Sequence, residues 1–253
     1  MKSQFASQFR NAWLGAERAA WRHAALLGLA FLTLGAFTAR AQERYSPFVP
    51  SDMTNVQRMV KLANLKAGDV VVDLGSGDGR IVFESLRANP KVSGWGVDLD
   101  NGLVVKTNAL AHTLGFGNRA YFLHQNAFDA DLSKVDVIYM WLWTEVQQML
   151  RAKILAEARP GTRVVTNLWG MGRWEPDEVD NTAGSPVNLW VVPGRVEGNW
   201  SWELNLRGRA HEYSAIIERH FQKLEGVARV GTRSVIASDM RLRGEEVFFS
   251  LSF

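Results

Sequence analysis

The clearest chemistry in the chain lies in one run, VVVDLGSGDGR, from Val70 to Arg80. Three consecutive valines predict a short buried strand, and Asp73 stands at its carboxyl end. Gly75, Gly77 and Gly79 alternate through the turn that follows, with Ser76 between the first two, and IVFESLRA then opens a helix. A strand feeding a glycine-rich turn and a helix is how α/β sheets build nucleotide sites. Glycine permits the backbone angles such a turn needs and lets a ligand lie against the main chain. The spacing narrows the ligand. A dinucleotide fingerprint, G-x-G-x-x-G, requires glycine at position 80, and that position is Arg80.

The elements around this turn must carry the rest of the site. From Asp52 to Asn64, Met53, Val56, Met59, Val60 and Ala63 recur at helical spacing, with Ser51 as the expected N-cap. A second strand is predicted over Val92 to Leu99. Asp98 follows Gly79 by nineteen residues, close to the ~20 expected for an acid that binds a ribose hydroxyl pair. A carboxylate suits that role because it accepts two hydrogen bonds. Asp100 competes for it from the same face of the strand. Leu103 to Leu114 reads as a crossover helix and Arg119 to His124 as the third strand, with His124 expected as a core histidine. Val135 to Trp143 reads as the fourth strand, Thr144 to Ala158 as a helix and Arg163 to Trp169 as the fifth strand. Trp141, Trp143, Trp169 and Trp174 thus fall near the carboxyl ends of adjacent strands, where open α/β sheets place ligands. A tryptophan face attracts a cation, so such a cluster suits an amine; equally, each ring can be a core or clamp residue. Trp141 and Trp143 share a face if strand geometry persists to the end of the run.

With Asp73 added, the run reads D-x-G-x-G-x-G and resembles the first motif of the seven-strand (class I) methyltransferases that use S-adenosylmethionine. PFVPS (Pro47 to Ser51), a helix, then KAGDVVVDLGSGDGR is similar to bacterial relatives of the ATP synthase c-subunit lysine methyltransferases. The resemblance implies a doubly wound, Rossmann-like α/β sheet and S-adenosyl-L-methionine as cofactor. It implies a cofactor site of Asp73, Gly75, Ser76, Gly77, Gly79, Asp98, Asn126 and Ala127, and it places the PFVPS segment near that cofactor. In many relatives an aspartate accepts a bond from the adenine amino group where this chain has Asn126; its amide oxygen can accept the same bond, and the N–H of Ala127 can serve adenine N1. Trp141, Trp143 and Trp169 are the expected substrate-pocket residues. The acceptor implied is a protein lysine or another amine. Methyl transfer to such an acceptor is mainly a matter of positioning, so no catalytic residue is assigned. The N/D-P-P-Y/F clamp of base-modifying relatives is replaced here by Met140-Trp-Leu-Trp143, and the added acid cluster of aminopropyltransferases is lacking.

Composition sets the outer limits. The 253-residue chain has no cysteine, which excludes disulfides, thiolate metal sites and a cysteine nucleophile. No metal-ligand spacing and no Ser/His/Asp set appears. The net charge of +3 belongs to the amino terminus: residues 1–41 hold five Lys/Arg and one acid, which leaves the remainder at −1. That balance gives no nucleic-acid footprint. Basic residues Lys2, Arg10, Arg18 and Arg22 precede a mostly apolar, uncharged run from Ala24 to Ala39, and Ala39-Arg40-Ala41 fits a signal-peptidase site. Residues 1–41 therefore read as a signal peptide directing the chain to the periplasm or outside, or as a short membrane anchor or organelle presequence. An export signal keeps open a reading of another class, an exported non-catalytic binding or accessory protein that retains the fold.

Residues 42–207 are expected to form the methyltransferase domain. Within it, Val187–Val196 and Asn199–Arg207 are expected to pair as a hairpin, the sixth and seventh strands. Residues 208–253 read as a β-rich extension, with a helix as an alternative over Tyr213 to Leu224.

Overall fold

The computed structural model describes residues 49–251; residues 1–48 and 252–253, and with them the amino-terminal targeting segment, Pro47 and Phe48, lie outside the described residues. Helix α1 (Met53–Leu62) comes first. Its cap is Asp52, whose side chain accepts from Thr54 N at 2.7 Å, rather than the expected Ser51. Then strand and helix alternate: β1 (Val70–Leu74), α2 (Arg80–Ala88), β2 (Ser93–Asp98), α3 (Asn101–Thr113), β3 (Ala120–His124), β4 (Val137–Met140), α4 (Thr144–Glu157) and β5 (Arg163–Asn167). Two further strands, β6 (Glu178–Asp180) and β7 (Val187–Val191), complete a seven-stranded sheet in the order β3-β2-β1-β4-β5-β7-β6. β1 to β5 pair in parallel, and β7 runs antiparallel between β5 and β6.

The apolar runs of the central strands follow from burial on both faces. On one face Val71, Tyr139, Val165 and Phe122 pack with Val56 and Met59 of α1 and Val82 and Phe83 of α2. On the other, Val72, Leu74, Ile138 and Met140 pack with Leu150 and Ile154 of α4 and with Trp174 and Trp190. Between β3 and β4 there is a single 3₁₀ turn, Ala127–Asp129, in place of a crossover helix. Trp95 and Tyr121 stack there at 6.1 Å, and Tyr121 and Leu123 stay exposed.

Several sequence expectations about strands are corrected. The fourth strand ends at Met140 instead of Trp143, because its ladder with β1 ends at Leu74↔Met140 and Gly75 then turns away at φ +89°. The fifth ends at Asn167, where Leu168 adopts φ +68°. The expected hairpin between 187–196 and 199–207 does not form. β7 is already flanked on both sides, and β8 (Gly198–Leu206) instead pairs with β9 (Arg209–His220) across Arg207 and Gly208. Both turn residues have positive φ, 52° and 77°, as a type I′ turn requires. β9 also replaces the alternative helix at 213–224. Tyr213, Ala215 and Ile217 point inward and Ile216 and Glu218 outward, a two-residue period that YSAIIERH conceals because both faces carry apolar groups.

β8 and β9 continue into β10 (Lys223–Val230) and β11 (Arg233–Ile236) as a four-stranded sheet, and β12 (Ser238–Arg243) pairs with β13 (Glu246–Ser250). This β-rich part joins the large sheet through Phe221, stacked on Trp174 at 6.0 Å, and through Gly194 N donating to Gly244 O at 2.6 Å.

Candidate functional site

The carboxyl edge of β2, β1, β4 and β5 gathers most of the residues singled out from the sequence. Gly75 and Ser76 both donate their N–H groups to Val97 O at 2.9 Å, which ties the turn after β1 to the end of β2. Gly77 N donates to Asp98 Oδ2 at 2.8 Å, and Thr107 Oγ1 of α3 donates to Gly77 O at 3.1 Å. Two glycines are needed for space as well as for angle. Gly79 stands at φ +75°, and a Cβ there would lie 2.6 Å from Thr107 Cγ2. A Cβ on Gly96 of β2 would lie 2.4 Å from Ser76 Cβ, so the turn can lie flat against β2 only because that position is bare. The result is a main-chain cradle at the amino end of α2.

Asp98 is the last residue of β2, and its other oxygen accepts from Asp100 N at 2.8 Å. Asp100, the competitor for the ribose role, caps α3 with its side chain through Leu103 N at 3.0 Å. Asn126 Oδ1 accepts from Phe128 N at 3.0 Å and so caps the turn that Ala127 opens. A carbonyl oxygen has two lone pairs, which leaves one for a ligand. His124 is exposed, with Nε2 3.0 Å from Leu99 O, and is not the core residue expected.

Asp73 is only 2 % exposed, and its Oδ1, like the buried Oγ of Ser76, has no hydrogen-bond partner among the described residues. Burial, and after it the neighbouring carboxylates of Asp98 and Asp78, hold the Asp73 carboxyl well above the usual range. Buried polar groups left open cost stability unless something meets them. A cationic or hydrogen-bonding ligand at this edge would do so.

The tryptophans separate. Trp141 is half-buried just past the end of β4; Trp143, at the N-cap position of α4, is 56 % exposed, and Trp169 is 38 % exposed. Because β4 stops at Met140, the alternation that would align Trp141 with Trp143 does not apply. Trp174 is 0 % exposed and is a core ring, 6.2 Å from Trp190, whose Nε1 donates to Trp174 O at 2.8 Å.

Arg58, Asn55, Ser185 and Asn167 were not singled out from the sequence. Arg58 of α1 is buried and donates to Asp180 Oδ2 (3.0 Å), Asn55 Oδ1 (3.0 Å) and Ser185 O (2.9 Å), fastening the β6–β7 loop to α1. It holds the Asp180 carboxyl well below the usual range. Asn55 in turn reaches Ser185, and Ser185 reaches Asn167 at the end of β5. The signal was an arginine set among Val56, Met59 and Val60 on the apolar side of α1. Arg80 of α2 pairs with Asp78 and donates to Ser51 O, which brings the segment before α1 against the glycine turn.

A glycine cradle, an acid at the end of β2 and unpartnered acceptors at Asp73 and Ser76 fit a nucleoside that carries a cationic group. The reversed strand in the seven-stranded order places that cradle in a methyltransferase-type sheet. The ANTKMT methyltransferase domain model matches residues 73–178. A protein-lysine N-methyltransferase from Saccharolobus islandicus is 33% identical over 150 residues, which span 58% of this chain and 93% of the relative. The ATP synthase c-subunit lysine N-methyltransferase of Mus musculus is 26% identical over 63% of this chain and 66% of that protein. Among solved structures, the RNA methyltransferase from Salinibacter ruber in complex with S-adenosyl-L-homocysteine is 36% identical with a TM-score of 0.57, covering 58% of this chain and 96% of that one. The chain belongs to the class I S-adenosylmethionine-dependent methyltransferases.

Proposed function

We propose that the enzyme methylates a lysine side-chain amine of a protein, with the cofactor held by Asp73, Gly75, Ser76, Gly77, Gly79, Asp98, Asn126 and Ala127. The bound cofactor supplies an electrophilic methyl group on a sulfonium. The glycine cradle approaches it with main chain, Asp98 offers its remaining lone pairs to the ribose hydroxyls, and Asn126 with Ala127 offers an acceptor and a donor to the adenine edge. Asp73 and Ser76 offer open acceptors to its cationic portion. Trp141, Trp143 and Trp169 border the acceptor side, where an aromatic face favours an amine cation by roughly 0.5 to 2 kcal/mol. The amine reacts only once neutral, and it loses its proton to water; positioning is the enzyme's main contribution.

The observation that carries the lysine acceptor is the likeness to the Saccharolobus protein-lysine N-methyltransferase along 93% of its length. The Salinibacter structure supports a second reading, an RNA acceptor, against which stands the near-neutral charge of residues 42–253. Incubation of the purified protein with radiolabelled S-adenosylmethionine and either membrane-protein extract or total RNA separates the two. Label is expected in protein, on lysine after hydrolysis. Label in RNA alone would overturn the lysine reading.

A further inference from the structure

A chain of hydrogen bonds ends at the site and leaves a donor there. It begins at Arg58, whose guanidinium can only donate. Nη1 donates to Asn55 at 3.0 Å, so the Asn55 atom it meets is the oxygen, Oδ1. The Asn55 amide nitrogen then faces Ser185 Oγ at 3.1 Å and donates to it. Ser185 Oγ donates its proton to Asn167 Oδ1 at 2.6 Å, a length that suits an O–H···O bond better than an amide N–H donor. With its oxygen used, Asn167 is left with Nδ2, a donor. Asn167 is 0 % exposed, and Nδ2 has no partner among the described residues.

Its place in the sheet says what it faces. Asn167 is the last residue of β5, two positions beyond Val165, which lies in register with Tyr139 and, across β4, with Asp73. Alternation puts Asn167 on the same face of the sheet as Asp73. Of the five buried side-chain atoms without a partner among the described residues, four belong to Asp73, Ser76, Gln147 and Asn167. These four sit at the carboxyl ends of β1 and β5 or in the segments that leave β1 and β4. Three are acceptors or a hydroxyl; Asn167 supplies the amide donor.

We propose that Asn167 Nδ2, oriented by Arg58, Asn55 and Ser185, donates a hydrogen bond to the carboxylate at the amino-acid end of bound S-adenosylmethionine. The proposal rests on the cofactor site assigned above. A buried N–H gains most from an anionic acceptor, and the carboxylate is the anionic group of this cofactor. An acceptor lysine presents no oxygen there. Its ammonium form would meet Nδ2 donor against donor, and its neutral form would lose to Nδ2 the lone pair that must attack.

Isothermal titration of the full chain with S-adenosylhomocysteine and with 5′-methylthioadenosine, which lacks the amino-acid end, tests this. Asn167→Ala is expected to weaken S-adenosylhomocysteine about tenfold or more, the worth of one hydrogen bond to a charged group, and to leave 5′-methylthioadenosine unchanged. Asn167→Asp, which sets an oxygen against the carboxylate, should weaken S-adenosylhomocysteine further. Ser185→Ala frees the amide to turn and should give a smaller loss confined to the same ligand. Unchanged affinity for S-adenosylhomocysteine in both Asn167 variants would overturn the proposal, as would equal losses for the two ligands. Failure of the unaltered protein to bind either ligand would instead refute the cofactor site itself.

Discussion

Replacing Asp98 by alanine removes one carboxylate that serves two tasks. In the protein it accepts from Gly77 N and Asp100 N, each at 2.8 Å, and so fixes the glycine turn against the start of α3. Asp98 is half-buried, so water replaces part of what those two bonds contribute, and a stability loss of about 1 to 2 kcal/mol follows. Toward the cofactor it is expected to accept from both ribose hydroxyls. Two bonds to a charged group at about 1.5 to 3 kcal/mol each amount to about 3 to 6 kcal/mol, or roughly 10² to 10⁴ in affinity. Partial exposure favours the lower end, about 100-fold. Asp98→Asn keeps the shape and one acceptor oxygen, and its loss should fall between alanine and the unaltered protein. The assay is isothermal titration with S-adenosylhomocysteine, beside a circular-dichroism melt to show that each variant is folded. A lowered Tm with affinity within about threefold of the unaltered protein, less than one such bond is worth, would mean that Asp98 anchors the turn and does nothing for the ribose.

Two further outcomes follow from burial. Because the Asp73 carboxyl is held above its ordinary range in the folded state, the native protein binds more protons than the unfolded chain, and stability falls as pH rises from about 4 through the folded pKa. Ligand-free Asp73→Asn should therefore melt higher than the unaltered protein at pH 8, with the gap closing towards pH 4, while S-adenosylhomocysteine binding weakens; identical pH dependence of Tm in the two proteins would refute the assignment. Trp174→Ala should cost about 3 to 5 kcal/mol in urea unfolding, as for a large ring lost from a core, whereas Trp143→Ala, at a mostly exposed ring, should lower Tm far less and raise KM for the protein acceptor without changing S-adenosylhomocysteine affinity. The reverse pattern would mean that the two tryptophans have been assigned the wrong roles.

The contrast between those tryptophans shows where sequence reasoning stops. Local order settled the cradle: valines that favour a buried strand, glycines at three alternate positions and a helix-forming run act within some twenty residues of one another, so their consequences are legible in the chain. The position of Asp98 at the end of β2 was legible in the same way, by distance along one βαβ unit. Only the tertiary structure decided where β4 ends, because a strand ends where its neighbours do, and Gly75 turns away beside Met140. It also decided that β8 pairs with β9, since β7 lies between β5 and β6 and has no free edge. The same holds for the Arg58–Asn55–Ser185–Asn167 chain. It joins α1 to a loop more than a hundred positions away, and its Asn55 end is set by a guanidinium that can only donate. The types and spacing of residues determined the glycine cradle and the class of enzyme it belongs to. Which side chains look into that cradle depended on how the strands end and how the loops above them are held.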